Sequence, residues 1–409
     1  MTMRFTQVYF AFAAGFFLSY LFRTVNAVIS PDLVREFDLA PSSLGMLTSA
    51  YLLAFGAMQL PVGVLLDRYG PRRVEPVLLV VAAVGAGLFA AAESLATLTL
   101  ARAIIGAGVC AALMTPLKAI AAWYPADRQT SYAGWIMVAG GAGALVATVP
   151  LDLALSLTTW RVVFAVLAVA TLLAALAVYL RVPDIERHGA PASLGEQVAG
   201  LATIFRHGRF WWIAPLGTLA MGAFMAIQGL WAVPWLMEVD GYSRSVAASH
   251  LFAMSAAQVV GYLAIGAFGI RLARGGVHAR HLFGGGFAVN FAALVLIVLQ
   301  VPGSYLWWML FGLGASVNVL GFTALGEGFP SDLAGRVSTS LNLLMFAGSF
   351  VAQWGIGVIA DAVRTAAGAS VADGLRVALA AVVFAYAVTF AWFLRGFRQH
   401  GVAHPGLAA

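Results

Sequence analysis

Long apolar runs, separated by short clusters of Pro, Gly and charged residues, follow one another along the whole chain. Each run is long enough to cross a bilayer as an α-helix, which takes about 20 apolar residues. The pattern predicts twelve spans in two sets of six. The first set covers residues 5–29, 43–66, 75–93, 97–119, 132–156 and 160–180. The second set covers residues 210–236, 246–269, 282–300, 305–328, 337–360 and 374–395.

The two sets resemble each other in sequence. Tyr124-Pro-Ala-Asp127, after the fourth run, is echoed by Phe329-Pro-Ser-Asp332 after the tenth. Such repeats predict an all-α membrane protein with two pseudo-symmetric six-helix bundles and a substrate site between them, near the membrane midplane. The expected segments are an N-terminal bundle, a linker with a short interfacial helix, a C-terminal bundle and a tail, over residues 1–180, 181–209, 210–396 and 397–409.

Composition narrows the class of protein further. Hydrophobic residues make up 62% of the chain and charged residues 10%, against about 25% charged residues in a soluble domain. The net charge is +6, but the basic residues punctuate apolar runs and build no basic face, so we expect no nucleic-acid partner. Cys110 is the only cysteine, which excludes an intrachain disulfide framework and a thiolate zinc site.

The distribution of basic residues predicts the orientation in the membrane. If the N-terminus is cytoplasmic, sixteen of the 23 Lys and Arg residues fall in inward-facing segments. The positive-inside rule then places both termini in the cytoplasm. One lysine against 22 arginines, with abundant Ala and Gly, indicates a bacterial genome rich in GC. We therefore expect a monomer in the bacterial inner membrane, with the lipid bilayer as its surroundings.

The loop between the second and third spans carries an ordered motif of glycines and charges. It reads Gly63-Val-Leu-Leu-Asp67-Arg68-Tyr-Gly70-Pro71-Arg72-Arg73 and resembles the signature loop of the major facilitator superfamily, from which it departs only at Pro71. A glycine at 63 permits close helix approach, and the charges can form bonds that clamp helix ends on the cytoplasmic side. The alternative is that these are only the arginines of a positive-inside loop.

Two further motifs bear on this resemblance. Arg102-x-x-x-Gly106-x-Gly108 is similar to a motif of the family that is associated with proton coupling. In the second half, Ile270 stands where a matching loop aspartate would be, so a second clamp is doubtful. The fifth span lacks the Gly-Pro-x-x-Gly-Gly run of drug/proton antiporters, which disfavours drug export without excluding it.

Ionisable groups inside spans are expensive and usually functional. Arg23 in the first span and Arg102 in the fourth lie at similar predicted depths, and together they would form a positive pocket for an organic anion. Alternatively, Arg23 extends to lipid phosphates or pairs with Asp32 or Glu36. Glu327 is the best candidate for a proton carrier, or else a partner of a gate arginine.

Uncharged polar residues inside spans have two interpretations of similar weight. They either hydrogen-bond a substrate or bridge neighbouring helices. This set comprises Asn26, Gln59, Gln228, Asn318 and Asn342. Trp231 in the seventh span either lines the cavity or packs against neighbouring helices.

A set of soft metal ligands suggests a different cargo. Met221 and Met225 in the seventh span, and His250 and Met254 in the eighth, stand four residues apart and share a helix face within each pair. Thioethers with an imidazole suit Cu(I), and the patterns resemble those of the bacterial copper importers of the CcoA-like branch. Methionine at helical spacing is also a common packing residue, and an interfacial histidine without a ligand is the alternative for His250.

The sequence therefore favours a secondary transporter that moves a small organic solute, by alternating access, with protons as the coupling ion and no cofactor. The arginines favour an anionic solute. A copper importer and a drug or metabolite exporter remain alternatives. A membrane enzyme is disfavoured because no converging catalytic carboxylates, His cluster or phosphate-binding loop is present in the sequence. A non-transporting receptor on a transporter fold remains open.

Overall fold

The computed structural model describes residues 5–184, 194–326, 329 and 333–400. These residues form helices joined by short turns, with no strand among them. Ten helices are long and apolar enough to cross a membrane, and two bent helix pairs bring the number to twelve. The predicted twelve-span, all-α architecture is confirmed.

The first half consists of six spans. Their helices are Phe5–Phe37, Pro41–Ala57 with Gln59–Tyr69, Pro71–Ala90, Leu95–Val109 with Met114–Trp123, Ala126–Val146 with Val149–Leu157, and Trp160–Arg181. A linker helix, Leu194–Phe205, follows where an interfacial helix is predicted. The spans of the second half are Phe210–Ala226 continued by irregular turns to Val239, Arg244–Arg274, Ala279–Val298, Ser304–Ala315 with Asn318–Gly326, Ala334–Ala367 and Val371–His400.

Because successive spans alternate in direction, the turns fall on two opposite ends of the bundle. We call the end that carries residues 69–71 and the linker helix the linker face. We call the end that carries the turns 38–40 and 240–243 the far face. The first span is longer than predicted and continues through Pro31 to Phe37, so its acidic last turns reach the far face.

The seventh span departs from regular α-helix in its middle. Two π-helical turns, Ile227–Trp231 and Trp235–Val239, follow the regular helix Phe210–Ala226. Such turns widen the helix locally and are frequent at functional sites. A Cβ placed on Gly229, in the first of these turns, would lie 3.4 Å from the backbone oxygen of Arg23. The irregular part of the seventh span therefore crosses the first span at Arg23.

Small residues bring the two halves into close contact along the second and eleventh spans. A Cβ on Gly45 would lie 3.0 Å from the Gln353 carbonyl oxygen, and a Cβ on Gly56 would lie 3.0 Å from the Phe346 Cβ. In membranes, where helix association depends on close packing, small residues at such crossings are typical.

Charged groups fasten the halves at the far face. Arg244, which begins the eighth span, bonds Asp32 of the first span and Asp152 of the fifth, each at 2.8 Å. The backbone N–H of Ser42 donates to the Asp361 carboxylate at 2.7 Å. Within the described ranges, every ion pair that joins the two halves lies at this face. The molecule is therefore in a conformation closed at the far face.

Candidate functional site

Arg23 lies where the first, second and eleventh spans meet. Its guanidinium carbon is 4.6 Å from the ring centre of Tyr20, 5.4 Å from that of Phe55 and 5.8 Å from that of Phe346. The faces of aromatic rings attract cations, so this setting stabilises the charge without neutralising it. Phe346 belongs to the second half of the chain, and the site is thus shared by both halves.

Among the described residues, no carboxylate pairs with Arg23, and its buried Nε has no hydrogen-bond partner. The two acids that were alternatives as partners are engaged elsewhere. Asp32 bonds Arg244, and Glu36 bonds Arg161 at 2.6 Å and accepts from the Trp160 indole. The pairing of Arg23 with Asp32 or Glu36 is therefore wrong. The extension of Arg23 to lipid phosphates is also wrong, because its side chain turns towards the aromatic rings between the halves.

Arg102 does not share this position. It is fully buried within the first half, where its Nη1 donates to the Phe22 carbonyl at 2.9 Å and its guanidinium lies 4.9 Å from the Tyr51 ring centre. Tyr51 interacts electrostatically with both arginines and donates to the Ser19 carbonyl. Arg102 is enclosed in the first half, and its Nε and Nη2 have no hydrogen-bond partner among the described residues. The pocket formed by Arg23 and Arg102 stays a prediction.

Asn26 lies one helical turn from Arg23 and is fully buried. Its amide nitrogen donates to the Thr48 hydroxyl at 3.1 Å, whereas its Oδ1 has no partner in the described part of the chain. Asn26 therefore bridges the first and second spans and keeps one free acceptor.

A chain of polar side chains from the second half extends towards Arg23. The Gln228 amide, on the first π-turn, donates to the Ser255 hydroxyl and to the Gln258 oxygen. Gln258 donates to the Tyr262 hydroxyl at 3.2 Å, and that hydroxyl donates to Asn318 at 3.4 Å. Tyr262 also interacts electrostatically with Arg23. The structure thus brings a ladder of hydroxyl and amide groups opposite the guanidinium.

Three other predicted residues bridge helices. Asn342 of the eleventh span donates to Gln59 of the second at 3.2 Å, and the Gln59 amide donates to the Phe55 carbonyl. Trp231 is buried and donates from its indole to the Gln353 carbonyl at 2.8 Å. Its ring also borders a far-face cavity of about 240 Å³ between the halves.

The signature loop forms ion pairs at the linker face, within the first half. Asp67 pairs with Lys118 of the fourth span. Arg72 donates to the Tyr179 carbonyl at 3.2 Å and, with Arg73, approaches Asp184 after the sixth span. These bonds connect the ends of four spans, and Lys118, the single lysine, is a partner that the loop motif alone does not reveal.

The remaining motif residues have simpler roles. Gly70 has a φ of +77°, a conformation that glycine adopts without steric cost, and Pro71 occupies the first position of the next helix, which suits its fixed φ. Gly63 is half-buried in the helix Gln59–Tyr69, and Arg68 lies over the Tyr69 ring.

Three of the four soft ligands bond other groups, and the buried His250 Nε2 has no hydrogen-bond partner among the described residues. The Met221 sulfur accepts from Asn318 and the Met225 sulfur accepts from Ser349. His250 is stacked between Tyr242 and Tyr305, with Nδ1 at 2.8 Å from the Val246 carbonyl. Met254 is buried beside Gly312. Copper binding by this set stays a prediction. Glu327, the expected proton carrier, lies outside the described residues, as does the side chain of Ile270.

Comparison with known proteins identifies the class. The sequence model of the Major Facilitator Superfamily matches residues 12–353. The chain therefore belongs to the Major Facilitator Superfamily and is a multi-pass membrane protein of a transporter family. The predicted family is confirmed. A bacterial homologue of the human lysosomal transporter Spinster, solved in an inward-facing and unoccupied conformation, has the same fold, with a TM-score of 0.77 at 18% identity over 98% of this chain and 99% of that one.

The sequence relatives match this chain over a smaller share of its length than the structural relative does. A hexuronate transporter of Escherichia coli is 27% identical over 245 residues, which are 56% of this chain and 56% of that protein. A probable sulfoacetate transporter of Cupriavidus necator is 30% identical over 38% of this chain and 36% of its own length. A galacturonate transporter of Dickeya chrysanthemi is 25% identical over 40% of this chain and 47% of its own length. The matches thus span about half of these relatives or less.

Proposed function

We propose that this protein transports a small organic acid anion of the uronate class across the bacterial inner membrane, in symport with protons. The observation that carries the proposal is Arg23, a cation between the two halves with no carboxylate partner in the described ranges. A planar guanidinium is suited to bind a carboxylate through two parallel hydrogen bonds.

The surroundings of Arg23 fit the remainder of a sugar acid. Tyr20 and Phe55 offer aromatic faces beside the guanidinium, and Tyr262 and Gln258 offer hydroxyl and amide groups from the second half. Sugar hydroxyls both donate and accept hydrogen bonds, so they match side-chain hydroxyl and amide groups, which also do both. The named cargoes of the three relatives, hexuronate, sulfoacetate and galacturonate, are all anions, which supports the same class of substrate.

Alternating access follows from the position of the site. A ligand that bonds Arg23 of the first half and Tyr262 of the second joins two bodies that separate at one face at a time. In the proposed orientation the linker face is cytoplasmic, because most basic residues lie on that side. The far-face-closed conformation is then the one that exchanges substrate with the cytoplasm.

The proposal is tested by thermal unfolding of the purified protein with glucuronate, galacturonate, glucose and Cu(I). A ligand that binds only the folded state stabilises it by about 2.7 kcal/mol at 100 times its dissociation constant. We expect stabilisation by the two uronates and none by glucose, which has the same ring without the carboxylate. Stabilisation by Cu(I) alone, lost in Met225→Leu and in His250→Ala, would instead support the copper alternative.

Arg23→Gln is the decisive variant. A hydrogen bond to a charged group contributes roughly 1.5–3 kcal/mol, so its loss should weaken uronate binding at least about tenfold. Arg23→Lys keeps the charge but loses the paired geometry, and we expect an intermediate affinity. Arg35→Gln, on an exposed turn of the same helix, is the matched control. Unchanged uronate affinity in Arg23→Gln would contradict the proposal.

A further inference from the structure

Glu75 is a buried carboxyl group in the third span, one turn inside the linker face. Glu75 is 1% exposed, and neither of its carboxyl oxygens has a hydrogen-bond partner among the described residues. A Cβ placed on Gly15 of the first span would lie 2.6 Å from Glu75 Oε1 and 3.7 Å from a methyl group of Leu79. The carboxyl thus packs against the first span at a position where only glycine leaves room.

Three basic residues near this end of the third span are engaged with other partners. Arg72 bonds the Tyr179 carbonyl and approaches Asp184, Arg73 approaches Asp184, and Lys118 pairs with Asp67. At the contact itself, the first span presents Gly15, which carries no charge. A buried carboxylate without a cation or a donor is strongly unfavourable, and this geometry favours the protonated form of Glu75.

We propose that Glu75 is the site that binds and releases the coupling proton during transport. The inference rests on the proposed proton symport and names the group that carries the proton. Release transfers the proton from the Glu75 carboxyl to water at the linker face and leaves a carboxylate. No oxidant, metal or further reactant takes part.

The neighbouring ion pairs connect this step to the movement of helices. Arg72 is three residues before Glu75, and residues at this spacing share one face of a helix. We expect a carboxylate at Glu75 to compete with Asp184 and the Tyr179 carbonyl for the Arg72 guanidinium. Deprotonation should therefore weaken the bonds between the ends of the third and sixth spans.

The test compares proteoliposomes that contain wild-type protein or the variants Glu75→Gln, Glu75→Asp and Glu93→Gln. Wild-type protein should accumulate galacturonate under an inward proton gradient and exchange it without a gradient. Glu75→Gln, a permanent mimic of the protonated acid, should lose at least tenfold of the gradient-driven uptake and keep exchange. Glu75→Asp should retain part of the driven uptake. Glu93→Gln, an exposed carboxyl just after the same span, should behave as wild type.

A second measurement does not depend on the substrate. Infrared difference spectra of the full-length protein between neutral and alkaline pH, where exposed carboxyl groups stay ionised, should contain a protonated carboxyl band that disappears in Glu75→Gln and persists in Glu93→Gln. If the wild type shows this band but no proton-driven uptake of galacturonate, the proposed symport fails while proton binding at Glu75 stands.

Two results would overturn the inference. One is gradient-driven uptake in Glu75→Gln equal to that of the wild type. The other is an infrared band that is unchanged in Glu75→Gln. A folded Glu75→Gln protein is recognised by its retained exchange activity, and Glu75→Asp provides the comparison if the amide variant does not assemble.

Discussion

At the scale of single residues, the two arginines inside spans differ in burial and in the half of the chain that they contact. Arg102 is fully buried in the first half and donates to a backbone carbonyl of the first span, and its Nε and Nη2 have no partner among the described residues. Arg23 lies among aromatic rings, with a buried Nε that no described residue satisfies. A guanidinium is weakly hydrated and stacks well on rings, so the Arg23 charge persists at the interface without an anion. Because Arg23 contacts a ring of the second half, Phe346, we propose Arg23 and not Arg102 as the residue that binds the ligand.

A pH-dependent prediction concerns Asp240, in the far-face turn before the eighth span. Burial raises the pKa of Asp240, and a hydrogen bond from Gln300 at 3.1 Å partly opposes this effect. A raised pKa in the folded state means that ionisation of Asp240 lowers stability as pH rises. Asp240→Asn should therefore increase the unfolding temperature at pH 7. This gain should shrink as pH falls towards about 3.9, the ordinary value for aspartate.

The measurement is thermal unfolding of both proteins in detergent across that pH range. Asp38→Asn, which removes an exposed aspartate from another far-face turn, controls for the loss of a surface charge. A gain that does not vary with pH, or a lower unfolding temperature at pH 7, would contradict the prediction.

The sequence could identify which residues are unusual inside a membrane span, but not which way each side chain faces. Arg23 and Arg102 are equivalent as isolated charges in apolar runs, and what distinguishes them is the full burial of Arg102 and the contact of Arg23 with Phe346. Glu75 was missed because the predicted span begins at that residue. The helix begins four residues earlier, at Pro71, and this places the carboxyl inside the bundle.

At the scale of elements, the crossing of the second and eleventh spans holds the far face together. Gly45 and Gly357 each allow one helix to contact the backbone of the other. The Ser42 to Asp361 hydrogen bond closes the end of this crossing. Apolar periodicity predicted both helices, whereas the bend of 43° between Pro41–Ala57 and Gln59–Tyr69 has no counterpart in the hydrophobic pattern.

This crossing predicts different effects for two nearby glycines of the eleventh span. A Cβ on Gly357 would meet the Pro41 carbonyl oxygen far inside contact distance, whereas a Cβ on Gly355 would meet nothing within 4 Å. Gly357→Ala should destabilise the protein by about 1–3 kcal/mol, the usual cost of overpacking. Gly355→Ala should be neutral or slightly stabilising, because alanine is the better helix former. Unfolding temperatures in detergent measure both, and equal effects would contradict the assigned crossing.

At the scale of the whole molecule, the repeat explains why so much of the architecture followed from sequence. Twelve apolar runs and the echo of Tyr124-Pro-Ala-Asp127 indicate the number of spans and the two halves. They do not indicate which face is closed, because that depends on contacts between residues far apart in the chain. Arg244 and Asp32 are separated by 212 positions, yet they meet at 2.8 Å.

Arg244 is therefore the residue whose loss should change the conformation of the whole transporter. Its bonds to Asp32 and Asp152 join the halves at the far face, where all three side chains are about a quarter exposed or less. Because the ion pairs are partly solvated, we assign them the low end for charged hydrogen bonds, about 1.5 kcal/mol, or roughly tenfold in an equilibrium constant. Arg244→Gln should thus raise the far-face-open population about tenfold.

Spin labels on Arg35→Cys and Glu238→Cys, in a Cys110→Ser background, report the separation of the halves by electron paramagnetic resonance. Arg376→Gln, which breaks an ion pair within the twelfth span and none between the halves, should leave the distance distribution unchanged. An unshifted distribution in Arg244→Gln would show that the crossing of the second and eleventh spans, with its Ser42 to Asp361 hydrogen bond, keeps the far face closed without Arg244.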